Sequence, residues 1–220
     1  MSKSNKILNV PNTLSLLRMV LVPVFAAAIL YLPRLTSSLW VSCLVPAALF
    51  GLTSLTDMLD GQIARKYDLI TDFGKFLDPL ADKFMVFGAL VCILISPLYA
   101  GIRPVFVWVT LIVMLRELGV TSMRLVVASR KVVVAASFFG KAKTCTQIAG
   151  ILLILCEPLF GDFGATHVLA YVMMAAMLVT TVGSGVDYLR TYWPYLSGRA
   201  DRAETAEQAA AQDPAGDDRS

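Results

Sequence analysis

Residues 57–82 read DMLDGQIARKYDLITDFGKFLDPLAD, and four of their aspartates, Asp57, Asp60, Asp78 and Asp82, stand at helical spacings inside a strongly apolar chain. A pair three apart and a pair four apart each fall on one face of a helix. Two such helices facing each other converge all four carboxylates on one point. Asp68 and Asp72 lie between the two helical stretches and read as solvated loop charges. A carboxylate at the centre of a membrane helix costs on the order of 2.5–3.5 kcal/mol by insertion scales. Four together repel one another unless something cationic lies between them, and the simplest candidate is a pair of divalent metal ions.

The surrounding chain sets the class. Of 220 residues, 57% are hydrophobic and only 16% charged, with a mean hydropathy of +0.69. That is too apolar for a soluble domain of this size and fits an all-α integral membrane protein. Six apolar segments are each long enough to cross about 30 Å of hydrocarbon. They run near 11–32, 38–64, 73–95, 104–128, 138–155 and 167–189. Pro11 and Asn12 read as a helix start, Pro23 as a kink within the first helix, and LPRLTS, SPLYAGIRP and EPLFGDFGA as turns. The expected organisation is a cytoplasmic N-terminus over 1–10, one six-helix domain over 11–198, and a disordered Ala-rich polar tail over 199–220. No A-x-A-like site follows the first apolar run, which argues against a removable signal peptide. Cys43, Cys92, Cys145 and Cys156 form no CxxC pair and read as buried small hydrophobes.

Charge gives orientation. Six spans put both termini on one side, and of the 19 Lys and Arg residues only Arg34 and Arg103 belong to the opposite loops. The positive-inside rule then makes the termini, the aspartate window and the basic stretch Arg130, Lys131, Lys141 and Lys143 cytoplasmic, with multi-pass insertion in the cell (inner) membrane. His167, the single histidine, falls on the outer side and is not expected to be catalytic. Trp40, Trp108 and Trp193 fit interface anchoring. The net charge of +3 is small, and no nucleic-acid partner is expected.

Written by position, the window is Asp57-x2-Asp60-Gly61-x2-Ala64-Arg65-x8-Gly74-x3-Asp78-x3-Asp82. Hard carboxylate oxygens suit Mg²⁺ or Mn²⁺ rather than zinc. Gly61 and Ala64 clear space for a flat ligand or a phosphate chain, Arg65 supplies a fixed cation for phosphate, and Gly74 permits close helix approach. Two metals about 3.5–4 Å apart are a common device for displacement at phosphorus. A carboxylate beside the attacking oxygen can take its proton.

The pattern resembles, at all eight fixed positions, the signature of the CDP-alcohol phosphotransferases. The resemblance implies a six-helix membrane core with the active site at the cytoplasmic face, displacement of CMP from a CDP-linked donor by an alcohol, and a homodimer. It implies that Asp57, Asp60, Asp78 and Asp82 are the ligands of a two-metal site, with Asp82 also the general base. It further assigns Asp57, Asp60, Gly61, Ala64, Arg65 and Gly74 to the cytidine-diphosphate pocket. A plainer reading, helix-end charges solvated in a loop, does not account for the Gly, Ala and Arg set between them.

The rest of the chain bears on the acceptor. NVPNTLSLLRMVLVPVF, DPLADK, RELGVTSMR and GKAKTCTQ resemble the phosphatidylglycerophosphate synthases of that family, over about residues 9–189. This implies CDP-diacylglycerol as donor and glycerol 3-phosphate as acceptor. The residues agree: a dianionic phosphate needs several cations. Arg116 and Arg124, eight apart, share one face of the fourth helix, and Lys141 and Lys143 begin the fifth, so these four are the expected acceptor-phosphate ligands. Arg116 must then sit deep, and Glu117 is placed to orient one of the cations. Lys141 and Lys143 also fit a topology-setting flank, while Asn12, Thr13 and Arg18 fit either the pocket or capping and snorkelling. Rival readings are another acceptor (inositol phosphate, serine or phosphatidylglycerol), an ion-coupled transporter, and an inactive scaffold. A cation pathway has no need of Gly61, Ala64 and Arg65, and no signature position is missing.

Overall fold

The computed structural model describes residues 10–67, 72–129, 138–161 and 166–197. The side chains of 57–67 and 72–79 are not among those described, nor are the N-terminal residues 1–9 and the tail 199–220. The described residues form six long helices and no strand. In order these are α1 (Val10–Leu35), α2 (Leu39–Tyr67), α3 (Asp72–Ile95), α4 (Arg103–Ser129), α5 (Phe138–Cys156) and α6 (Val168–Leu196), with 3₁₀ turns at Pro97–Ile102 and Glu157–Phe160. All except α3 contain a described stretch long and apolar enough to cross a membrane, five in number, as in a multi-pass membrane protein.

The elements run longer than the apolar pattern suggests. α1 holds Pro23 inside it, as expected, and continues past Leu32 through Pro33, and α6 continues past Leu189 through Pro194. In an apolar solvent the intrahelical hydrogen bond is the cheapest partner for every peptide group, so polar ends are drawn into helix as well. The same logic extends α2 to Tyr67 and starts α3 at Asp72. Asp72 is therefore the first residue of a helix rather than a loop residue, while Asp68 lies outside the described residues.

α1 packs along both α2 and α3, α6 along α5 and α4, and α2 against α5 joins the two groups. A continuous apolar core follows these contacts, with Phe25, Ile29, Phe50, Leu90, Ile93, Phe106, Ile154 and Met177 almost fully buried. The Phe25 and Phe50 rings meet at 5.9 Å between centroids. Two glycines set the spacing. A Cβ on Gly88 would come within 2.9 Å of Val22 Cγ1, and one on Gly150 within 2.7 Å of Met177 Sδ, so α3 approaches α1 and α5 approaches α6 only because these side chains are absent. Leu35, Leu115, Leu125 and Val179 are mostly exposed, as are Trp40, Trp108 and Trp193, which gives the bundle an apolar exterior suited to lipid. Several hydroxyls are satisfied within their own helix: Thr53 Oγ1 donates to the Leu49 carbonyl at 2.6 Å and Ser54 Oγ to that of Phe50 at 2.9 Å.

At the end where α4 and α6 begin, Tyr99 Oη donates to the Leu155 carbonyl at 3.0 Å, and Arg103 Nε to the Leu94 carbonyl at 2.8 Å. Glu157 is almost fully buried and accepts from the Ala170 backbone N–H at 2.9 Å, while His167 Nδ1 lies 3.3 Å from its other oxygen. His167 has φ +54° and ψ +18°, the only left-handed non-glycine residue among those described.

Candidate active site

α2 and α3 are joined by four residues, so each aspartate pair can be located by its depth from that connection. Counting back from Tyr67, Asp60 and Asp57 lie seven and ten residues into α2; counting forward from Asp72, Asp78 and Asp82 lie six and ten residues into α3. At 1.5 Å per residue the pairs sit at matching depths of about 9–15 Å. Both pairs are on continuous helix, so the three- and four-residue spacings hold as read. The side chains of Asp57, Asp60, Gly61, Ala64, Arg65, Gly74 and Asp78 lie outside the described residues, and no cluster of three metal-ligating side chains occurs among the described ones. By donor chemistry the residues fit hard divalent cations: four carboxylates at one level of two successive helices, with no competing thiol or imidazole in the window.

Asp82 is described, and it opens onto a cleft of about 640 Å³ between α3, α4, α5 and α6. The cleft is lined by Lys83, Arg116, Glu117, Val120, Thr121, Arg124, Gly140, Lys141, Lys143, Thr144, Cys145 and Tyr188 as well. All four cations singled out from the sequence thus reach one cavity, and they share it with Asp82. Five cations against two carboxylates leave this lining with a formal surplus of three positive charges. A low-dielectric wall makes such a surplus a strong anion attractor.

The cations are held in defined positions. Glu117 Oε1 bridges Lys143 Nζ, in a short ion pair, and Arg116 Nη1 at 3.2 Å. Lys143 is buried and Arg116 nearly so, which removes most of the screening that weakens surface pairs. Arg116 Nε is buried without a hydrogen-bond partner among the described residues. The guanidinium carbons of Arg116 and Arg124 each lie 5.7 Å from the centroid of the Tyr188 ring, and Tyr188 stacks on Tyr192 at 5.8 Å. Gly185, one turn before Tyr188, leaves room for the Arg116 stem: a Cβ there would sit 3.4 Å from Arg116 Cγ. Below the cleft a void of about 10 Å³, the size of one water, lies between Asp82, Lys83, Glu117, Lys143 and Gln147. Gln147 Nε2 is buried there with no partner among the described residues.

Some expectations need correcting. Cys145 is exposed and lines the cleft; it is not a buried apolar residue, although Cys43 and Cys92 are buried and Cys156 is partly so. Lys141 and Cys145 are four apart on α5 and share a face, a spacing that ties Cys145 to the cleft in the sequence itself. Arg18 is almost fully buried, so it does not snorkel, and it is not among the cleft-lining residues. Thr13 is exposed, and the side chain of Asn12 lies outside the described residues, as do Arg130 and Lys131. His167 is 21 residues before Tyr188 along α6, about 30 Å away and at the opposite end of the bundle. The residue the sequence reading missed is Tyr188.

The sequence profile of CDP-alcohol phosphatidyltransferases matches residues 8–183. The chain belongs to this family. It is therefore a CDP-alcohol phosphatidyltransferase in enzyme type. A probable phosphatidylglycerophosphate synthase of Mycobacterium tuberculosis is 42% identical over 184 residues, covering 84% of this chain and 81% of that protein. A CDP-diacylglycerol–glycerol-3-phosphate 3-phosphatidyltransferase of Bacillus subtilis is 36% identical over 194 residues, covering 86% and 97%. Its namesake in Yersinia pestis is 37% identical over 191 residues, covering 84% and 96%.

Proposed function

We propose that this enzyme transfers a phosphatidyl group from CDP-diacylglycerol to glycerol 3-phosphate, releasing CMP and phosphatidylglycerophosphate. The observation that carries a phosphomonoester acceptor is the cleft lined by Arg116, Arg124, Lys141 and Lys143 together with Asp82; the choice of glycerol 3-phosphate over inositol phosphate rests on the family resemblance. A neutral acceptor such as serine or free inositol gives no reason for a surplus of three positive charges. A phosphomonoester does, because its dianion is met by guanidinium and ammonium donors. The relatives' names point the same way.

On this reading the acceptor phosphate lies between α4, α5 and α6, and its 1-hydroxyl is directed at Asp82. Asp82 takes the proton as the oxygen attacks the β-phosphorus. Divalent cations held by Asp57, Asp60, Asp78 and Asp82 would supply neutralisation of the pyrophosphate and stabilisation of departing CMP. Arg65, with Gly61, Ala64 and Gly74 making room and the α2 carboxylates beside it, holds the cytidine diphosphate. Glu117 fixes Lys143 and Arg116 so that they need no reorganisation when the acceptor arrives. Residues 11–198 form one six-span domain in the inner membrane, with both termini and this cleft on the cytoplasmic side, and the enzyme works as a homodimer.

Purified protein supplied with Mg²⁺, CDP-diacylglycerol and one acceptor at a time tests the choice. CMP release is expected with glycerol 3-phosphate and not with serine, inositol phosphate or phosphatidylglycerol. Release with inositol phosphate but not with glycerol 3-phosphate overturns it.

A further inference from the structure

Like charges avoid one another, yet Arg116 and Arg124 are drawn to the same ring. They are eight residues apart on α4, about 12 Å along the axis. Their guanidinium carbons nevertheless sit at equal distances, 5.7 Å, from the centre of Tyr188. Tyr188 is 6% exposed, is backed by the Tyr192 ring and lines the cleft. One turn earlier on α6, Gly185 faces the Arg116 stem, where a Cβ would sit 3.4 Å from Arg116 Cγ. Glu117 also holds Arg116, at 3.2 Å from Nη1, and no ion pair of Arg124 occurs among the described residues. The ring is thus the one observed contact that both guanidiniums share.

We propose that Tyr188 is a positioning residue, whose ring face gathers Arg116 and Arg124 into a two-guanidinium clamp for the phosphate of a phosphomonoester acceptor. The physical basis is the ring quadrupole, which attracts a cation without neutralising it. A carboxylate in the same place would hold the arginines as well but would cancel the charge the acceptor needs. An aromatic ring orders them and leaves their donors for phosphate. The role assigned to the clamp rests on the acceptor reading above; its anion affinity does not, and the two can fail separately.

The test uses the full-length protein in detergent, with inorganic phosphate as the binding probe and CMP release as the turnover probe. Tyr188→Phe is expected to bind phosphate within about twofold of wild type. Tyr188→Leu is expected to bind it about tenfold more weakly and to raise KM for glycerol 3-phosphate by a similar factor, with KM for CDP-diacylglycerol unchanged. Phenylalanines carrying increasing numbers of fluorines at position 188 keep the shape and weaken the quadrupole, so phosphate affinity should fall stepwise with fluorine count. This series decides the matter if Tyr188→Leu does not fold. Affinity independent of fluorination, Tyr188→Phe as damaging as Tyr188→Leu, or a wild type that does not bind phosphate overturns the proposal. Fluorine-dependent phosphate binding without CMP release from glycerol 3-phosphate upholds the clamp and overturns the acceptor reading.

Discussion

At the end of the bundle where α5 begins, Glu117 meets Lys143 and Arg116, and three further cations line the same cleft. At the other end, Glu157 meets the Ala170 N–H and His167, beside a smaller cavity of about 230 Å³ whose lining includes no other charged residue. Glu157 is buried and Glu117 partly so, and both are satisfied. They differ in what is left over. Around Glu117 five cations and two carboxylates line one open cleft; around Glu157 the partners are a backbone donor and a single imidazole. The first arrangement suits an arriving anion. The second fastens the start of α6 to the turn after α5. A buried charge in a membrane protein is thus not by itself a mark of a site; the mark here is several cations gathered on one cavity.

Substitutions at the two ends should therefore separate into loss of turnover and loss of stability. Asp82→Asn keeps the size of the side chain and removes the proton acceptor. Transfer should fall by about 10²–10⁴-fold with the melting temperature in detergent held, and retained turnover would strip Asp82 of its role. Lys143→Met removes one cation and leaves Glu117 to Arg116 alone. We expect kcat/KM for glycerol 3-phosphate to fall about hundredfold, mostly through KM, as suits loss of a charged hydrogen bond worth about 1.5–3 kcal/mol. Unchanged KM for glycerol 3-phosphate would mean that Lys143 only flanks the membrane.

At the other end the signature reverses. Glu157→Ala strips the Ala170 N–H of its partner and should cost about 1–3 kcal/mol, read as a lower melting temperature, with both KM values and kcat unchanged. A loss of turnover at full stability would join the two ends functionally and break the contrast. The smallest effect is expected of His167→Gly. It gives up the Glu157 contact but relieves a left-handed backbone that costs a non-glycine residue about 1–2 kcal/mol. Stability should move by less than about 1 kcal/mol and turnover not at all.

The two regions were not equally legible in the sequence. The aspartate window declares itself through spacing, because i, i+3 and i, i+4 pairs are a local property of helix. Arg116 and Arg124 are legible for the same reason, and a cation in an apolar run draws notice. Tyr188 is not: its partners are on another helix some 64 and 72 residues earlier, and a tyrosine near the end of an apolar helix looks like any interface anchor. The left-handed His167 is equally hidden, since nothing in GDFGATHVL distinguishes it from a plain turn residue. Cys145 looks buried when classed by residue type, whereas its four-residue offset from Lys141 puts it on the cleft face. The apolar pattern ends α1, α2 and α6 too early for a single cause, the drive to keep peptide groups hydrogen-bonded within the segment.

The central claim is a location: the acceptor's phosphate sits among Arg116, Arg124, Lys141 and Lys143 with its hydroxyl end toward Asp82. An experimental structure of the enzyme with glycerol 3-phosphate bound examines it directly. The account predicts phosphate density in hydrogen-bond reach of both guanidiniums and of Lys143, with C1 turned to α3. Phosphate bound beside Arg65 instead, with the α4–α5–α6 cleft holding only water, would contradict it.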